Sequence, residues 1–478
     1  MIRTLLASDR RVALLVFTLL TIAGMGLQLW IIPHLLPQLD DGAGFIQRSD
    51  ASLYHKIALQ LLGAMRAQGW AAWQPAPYGL AMPGLLAALY YLTIPTPLMF
   101  IPIAAFAAAM AACAIIDVGA RCGIDRRAMR LSALISVLFP TMLLWMLQLG
   151  KEAFCILGLF LILRALLSTG RFTPNTTTLT TRQVIWHILT GLFGIGCLLL
   201  LRSYALTLIA LGLTTGSLCW AILSLLHGDN MKQLLRPLLV TLLTVALLLT
   251  ASLYLTNGQS DNSWGAIRDT VEAGKDWSTN QAAVEAIRNS GLPPLPSAPA
   301  IAHRITPASI AQPPSGPMRL LPRRAISYLR YMLARRLDYV TKASGATLNI
   351  DADSLATVDD MLPYLPRAAA IACCLPLPWQ AFTMPPGASR LFTLVMGLEM
   401  LVIYIGWIGL AWGLLRLRLP RALCAMLVIL FAAMVLPAVI SAPNLGTLHR
   451  TRFAPLMMLA TLGWGALIER YLTGRWRD

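Results

Sequence analysis

Gly79-Leu80-Ala81-Met82-Pro83-Gly84-Leu85-Leu86-Ala87-Ala88-Leu89-Tyr90-Tyr91-Leu92 is apolar enough to enter a lipid bilayer. Wound as a helix it reaches only about 20 Å, against a hydrocarbon core of roughly 30 Å. Pro83 interrupts it and Thr93-Ile94-Pro95-Thr96-Pro97 closes it. The topology turns on whether this stretch crosses. If it did, the loop holding Arg121, Arg126, Arg127 and Arg130 would face outward, against the tendency of basic loops to stay in the cytoplasm. We therefore read it as re-entrant or juxtamembrane, with its ends shielded by protein rather than lipid.

The whole chain agrees with a membrane setting. Of 478 residues, 57% are hydrophobic and 12% charged, with a mean hydropathy of +0.67, which excludes a water-soluble globule. The formal charge of +17 is spread in short clusters between apolar runs. That is the pattern of cytoplasmic loops, so the expected partner is the lipid bilayer and not nucleic acid. Seven of the eight cysteines lie in apolar runs and Cys122 in a basic loop, with no disulfide framework or metal-ligand spacing. Met1 to Arg11 followed by Val12 to Ile32 has the charge order of a signal peptide. Its apolar part is too long and lacks a small-x-small cleavage site, so it reads as a retained anchor.

Ten apolar stretches read as spans: Val12–Ile32, Leu98–Val118, Leu131–Leu149, Ala153–Leu167, Val184–Leu201, Ala205–Leu226, Leu238–Leu255, Leu391–Leu415, Ala422–Ile440 and Phe453–Leu467. The pattern predicts an all-α polytopic integral membrane protein with about ten transmembrane helices and both termini cytoplasmic. Residues 368–385, with Pro376, Pro378 and Trp379, read as a second broken or interfacial piece. Counting both short pieces as spans gives twelve and inverts the loops between them. The expected organisation is an N-terminal transmembrane catalytic module, residues 1–255, an extracytoplasmic loop or small domain, 256–366, and a C-terminal transmembrane module, 367–478. Within the middle region, 264–287 and 325–339 have helical periodicity, and 291–317 is rich in Pro, Ala and Ser.

Polar residues concentrate on the face expected to be outside. Pro37 to Pro77 carries Asp40, Asp41 and Asp50, and Asp50 opens an amphipathic helix with Leu53, Ile57, Leu61 and Leu62 at interfacial spacing. Asp50 could cap that helix, or it could be a carboxylate held at the membrane surface. Gly150-Lys151-Glu152 could be a plain hairpin turn, or could offer a cation to phosphate and an acceptor or metal ligand. Arg202 could snorkel or contact phosphate. Glu399 stands inside an apolar span, where a buried charge needs a partner and an Arg or Lys is the expected one. His449, Arg450 and Arg452 end a polar turn starting at Ser441, in an outward loop where arginine is disfavoured. The two arginines call for an anionic partner, either a phosphate or the first-loop aspartates, while His449 by itself reads as a structural histidine before a catalytic one.

Together these residues suit a substrate with a phosphate head and a long hydrocarbon tail. The chain resembles the polytopic membrane glycosyltransferases that use polyprenyl-phosphate sugars, the GT-C superfamily. The resemblance rests on one transmembrane helix followed by an acidic outer loop with Asp50-x-x-x-Tyr54, on Pro75-Ala76-Pro77-Tyr78-Gly79-Leu80-Ala81-Met82-Pro83-Gly84, and on Phe139-Pro140 ahead of Gly150-Lys151-Glu152. It covers roughly the first 230 residues. Residues 366 to 455, with Pro376-Leu377-Pro378-Trp379-Gln380, Glu399 and Asn444-Leu445-Gly446-Thr447 through Arg452, resemble membrane proteins of bacterial exopolysaccharide clusters.

The resemblance implies a GT-C-like fold with an aspartate of the first outer loop as catalytic base. Asp50 matches best and Asp41 or Asp40 are the alternatives. Substrate contacts would come from Tyr54, Lys151, Glu152, Arg202, Glu399, His449, Arg450 and Arg452, with divalent-metal use left open. The expected function is inverting transfer of a sugar from a polyprenyl-phosphate carrier to a hydroxyl on a lipid-linked glycan or cell-envelope polysaccharide. It would occur at the extracytoplasmic face of a bacterial inner membrane, alongside polysaccharide-assembly proteins. A polymerase or ligase acting on lipid-diphosphate-linked glycan is the near alternative. A lipid or glycan flippase is the distant one, because the polar sites gather at one face rather than mid-membrane.

Overall fold

Apolar runs separated by proline and charge set the helix boundaries. In the computed structural model of the chain, the residues described are 7–35, 37, 50–77, 80–147, 149–170, 172, 180–228, 231–259, 305–341, 350–351, 354–383, 388–416 and 419–473. Helix α1, Asp9–Gly26, continues as π-helical turns over Leu27–Leu35. Then come α2 (Asp50–Gln68), α3 (Ala81–Leu92), α4 (Phe100–Arg121), α5 (Arg126–Val137), α6 (Pro140–Leu147), α7 (Glu152–Gly170), α8 (Thr181–Leu226) and α9 (Met231–Gln259). The remainder are α10 (Pro307–Ala311), α11 (Arg323–Thr341), α12 (Met361–Cys374), α13 (Ala388–Arg416), α14 (Arg421–Ser441) and α15 (Leu445–Thr473). No β-strand occurs among the described residues.

Among the described residues eight helices are long and apolar enough to cross a membrane, the composition of an all-α membrane protein. The chain forms two compact units: Met1–Leu253 with Leu398–Met434 and Phe453–Asp478, and Tyr254–Gly397 with Val435–Arg452. The expected segment 264–287 lies outside the described residues, and the periodicity of 325–339 appears as α11.

In the first unit, helix directions follow from contacts at the two ends. The Asp9 carbonyl accepts from Cys113 Sγ at 3.9 Å, and the Asp9 carboxylate pairs with Arg126 (3.0 Å) and Arg130 (2.6 Å). The start of α1 therefore meets the end of α4, and the two run antiparallel. The connection from α1 to α4 thus leaves and returns at one end of the unit. Helix α3, too short to cross by itself, does not cross as a lone span.

Helices α4 and α7 run parallel, with Phe100 against Phe154 (5.9 Å between rings) at one end and Asp117 paired with Arg164 (2.9 Å) at the other. The chain between them must come back. It does so along α5 and α6, not as the single helix expected over Leu131–Leu149. Pro140 removes a backbone donor and disfavours helical geometry at Phe139, so the rod breaks there. This broken rod runs antiparallel to α15. Asp125 N–H donates to Glu469 (3.0 Å), Ser132 Oγ to the Thr461 carbonyl (2.6 Å), and Trp145 packs on Phe453 (5.4 Å).

Helix α8 merges the two spans expected over 184–201 and 205–226 into 46 residues, at about 1.5 Å each far longer than a bilayer is thick. Arg202 alone is non-helical, at φ −150 and ψ 62. Gly194 abuts Gly158 and Gly191 abuts Ala165, so the first half runs antiparallel to α7. Arg202 meets Glu152 at one end of α7, and Trp220 meets Phe172 (4.9 Å) just past the other. The second half therefore runs parallel to α7, and the helix doubles back at Arg202. Helices α13 and α15 approach closely where Gly406 and Gly409 face Gly463. A side chain at Gly463 would collide with the Gly406 carbonyl, so small residues are what permits the contact.

One end of the first unit is thus marked by Asp9, Asp117, Arg121, Arg126, Arg130 and Arg164. The other holds the end of α1, the start of α4, Lys151, Glu152 and Arg202. In a chain whose eight cysteines are replaced by serine or alanine, exposed Gln68→Cys and Arg127→Cys are expected to react with an impermeant maleimide from opposite membrane faces. Labelling from the same face would contradict the antiparallel packing of α1 and α4.

Candidate functional site

Asp40 and Asp41 lie outside the described residues, and Asp50 is described by its backbone, as the first residue of α2. The buried face of α2 is Ala51, Tyr54, Ala58, Leu61, Leu62 and Met65. It is rotated from the expected one, since Leu53 and Ile57 are only half-buried and the small Ala51 and Ala58 face the interior. Helix α3 packs against α2. His55 Nδ1 and the Tyr90 hydroxyl share a hydrogen bond of 2.8 Å, and burial pushes the Tyr90 phenol up from its ordinary value, so it stays protonated. Trp73 Nε1–H donates to the Gly84 carbonyl (2.9 Å), and a side chain at Gly84 would collide with the carbonyls of Gln74 and Pro75. The backbone at Trp73, Gln74 and Pro75 is therefore held against the start of α3.

At the same end of the unit, the chain turns between α6 and α7. Leu149 adopts φ 53, Gly150 N–H donates to the Trp145 carbonyl (2.7 Å), and any side chain at Gly150 would strike that carbonyl and the Glu152 carboxylate. Lys151 is half-buried in this turn. Glu152, only 2% exposed, begins α7, where the helix dipole favours an anion. It pairs with Arg202, 8% exposed, at 3.1 Å. The structure thus joins two of the expected site residues in one buried ion pair.

Glu399, buried in α13, takes the start of α6 as partner. Its Oε1 accepts Thr141 N–H and its Oε2 accepts Thr141 Oγ–H, both at 2.6 Å. Where an Arg or Lys is expected, these bonds come from a neutral residue, one from its hydroxyl and one from a backbone N–H that has no letter of its own in the sequence.

The late basic residues differ from expectation. Ser441 to Arg452 is not a polar turn: Asn444 Oδ1 accepts Thr447 N–H (3.0 Å) and starts α15 at Leu445. Within the second unit, Arg452 is fully buried and its Nη1 donates to the Ile371 and Ala372 carbonyls at 2.7 and 2.8 Å, near the C-terminal end of α12. A cation at a helix C-terminus is favoured in the same way. Its Nη2 lies 3.4 Å from Nδ1 of the buried His449, while Arg450 is half-buried.

Arg336, unforeseen in the sequence, repeats the arrangement. It is fully buried and donates to the carbonyls of Val439 and Ile440, at 3.3 and 3.0 Å, near the end of α14, and to that of Asp351. Its signal was visible: it interrupts the apolar stripe of Met332, Leu333 and Val340 on α11. Arg452→Ala is expected to lower the thermal midpoint, at about 1–3 kcal/mol for each carbonyl left without a donor. Unchanged unfolding would contradict the capping role.

Among the described residues no group of three or more His, Cys, Asp or Glu is placed to hold a metal ion. No protein-family model, curated protein or solved structure matches the chain.

Proposed function

We propose that this chain is an inverting glycosyltransferase of the GT-C type, moving a sugar from a polyprenyl-phosphate carrier to a hydroxyl acceptor at the extracytoplasmic face. The observation that carries the reading is the segregation of polar groups. Lys151 and the buried Glu152–Arg202 pair lie at the end of the first unit where α1 finishes and α4 starts, opposite the end rich in arginine. The positive-inside tendency puts the arginine-rich end in the cytoplasm, and the polar site on the other side. Ten crossings follow if the doubled-back α8 counts as two and the broken α5–α6 rod as one.

In this mechanism the hydrocarbon tail stays in lipid. Lys151 supplies positive charge to the donor phosphate, and the Arg202 guanidinium, held by Glu152, adds to the field there. The Asp50 carboxylate takes the proton of the acceptor hydroxyl as its oxygen attacks the anomeric carbon. The bond from that carbon to the phosphate oxygen breaks, and the electron pair leaves with polyprenyl phosphate. Attack opposite the leaving group inverts the anomeric centre. Because phosphate leaves as an anion, one base suffices.

The test is transfer in proteoliposomes given a panel of polyprenyl-phosphate hexoses and a cell-envelope extract as acceptor. The expected result is a new glycosylated product of inverted configuration. A panel that yields no product while the protein remains folded would contradict the reading.

A further inference from the structure

Along α1 and its π-helical extension, every fourth residue faces the interior: Val12, Val16, Leu20, Gly24, Gln28 and Ile32. Five of these are apolar or carry no side chain. Gln28 is the exception, 5% exposed, and neither its Nε2 nor its Oε1 has a hydrogen-bond partner among the described residues. An amide buried without partners costs on the order of 1–3 kcal/mol, so a merely structural residue at this position would be expected to be apolar. The backbone around it is unusual as well. The π-helical turns, a rare geometry, begin at Leu27, immediately before it.

Gln28 lies about 28 Å along the helix from Asp9, at the end opposite the arginine-rich cluster. Helix α1 also packs against α6, which carries Thr141 and its bonds to Glu399. Gln28 is therefore at the polar end of the first unit.

We propose that the Gln28 amide is a contact for the sugar of the lipid-linked donor, which rests on the glycosyl-transfer reading. The chemistry selects the sugar over the rest of the donor. The amide presents two donor hydrogens and one acceptor oxygen. A phosphate would satisfy the nitrogen and repel the oxygen, and a hydrocarbon tail would satisfy neither. A sugar hydroxyl both donates and accepts, so neighbouring hydroxyls can pair with both atoms.

The experiment uses the full chain in nanodiscs, as wild type, Gln28→Leu and Gln28→Met. It measures the thermal midpoint without ligand, then the Kd for a panel of polyprenyl-phosphate hexoses and for sugar-free polyprenyl phosphate. Either variant is expected to match or exceed the wild-type midpoint, since a buried amide is removed. Each is expected to bind the preferred hexose lipid about tenfold more weakly and the sugar-free lipid equally well. A lower midpoint with unchanged hexose-lipid affinity would mean that the amide serves the fold, through internal water, and would overturn the proposal. Equal weakening for both lipids would move the contact to phosphate and overturn it too. If the wild type binds no hexose lipid, the glycosyl-transfer reading falls and takes this inference with it. If the wild type binds a hexose lipid and both variants bind it equally well, the reading stands and the inference alone falls.

Discussion

Replacing Arg202 by methionine is expected to destabilise the first unit by about 3–5 kcal/mol, the usual consequence of stranding one member of a buried ion pair. Glu152 is 2% exposed and cannot recover solvent when its partner goes. Arg202 also sits at the single non-helical position where α8 doubles back, so its side chain ties that corner to the start of α7. Removing both charges, as Glu152→Gln with Arg202→Met, is expected to restore much of the loss, because no stranded carboxylate remains. Thermal unfolding in detergent reads both variants. A single variant as stable as the wild type, or a double variant worse than the single by the full cost of another lost charge, would contradict the pairing.

The second large effect falls on activity. Asp50→Asn keeps the size of the side chain and its ability to accept a hydrogen bond at the start of α2, but cannot take a proton. Loss of a general base is worth about 10²–10⁴-fold in rate. The variant is expected to insert and fold as the wild type does, and to lose transfer by that factor. If the only role of Asp50 is to cap a helix, the change should instead be a modest loss of stability with activity retained. Retained activity would shift the role of base to Asp41 or Asp40.

Much of this architecture is legible in the sequence, for a simple reason. Lipid leaves backbone polar groups no partner except each other, so apolar length translates directly into helix. Val12–Ile32, Leu98–Val118 and Ala422–Ile440 all lie within observed helices. Hydropathy fails where a break is apolar. Leu131–Leu149 reads as one continuous run, while the interruption depends on Pro140 and the backbone of Phe139. The position of the short helix α3 depends on packing between α1 and α4, and the clearest sign of that packing is a pair of ion contacts from Asp9 to residues more than a hundred positions away.

The candidate site divides in the same way. Glu152 and Arg202 stand out as charges in apolar surroundings, and their pairing is the natural outcome once both lie at one end. The partners of Glu399, Arg452 and Arg336 were not legible, because each includes a backbone group. Thr141 N–H and the carbonyls of Ile371, Ala372, Val439 and Ile440 acquire their roles only through helix ends that three-dimensional packing brings close. Side-chain partners alone point Arg452 toward an anion, and the carbonyls that bind it lie outside that choice.

Release of free polyprenyl phosphate from polyprenyl-phosphate hexose, compared between wild type and Asp50→Asn in proteoliposomes supplied with acceptor, bears most directly on the proposed chemistry. Wild type should release the carrier in step with sugar transfer, and the folded variant should release about 10²–10⁴-fold less. Equal release by the two proteins would remove Asp50 from the chemistry, and no release by either across the hexose panel would remove glycosyl transfer itself.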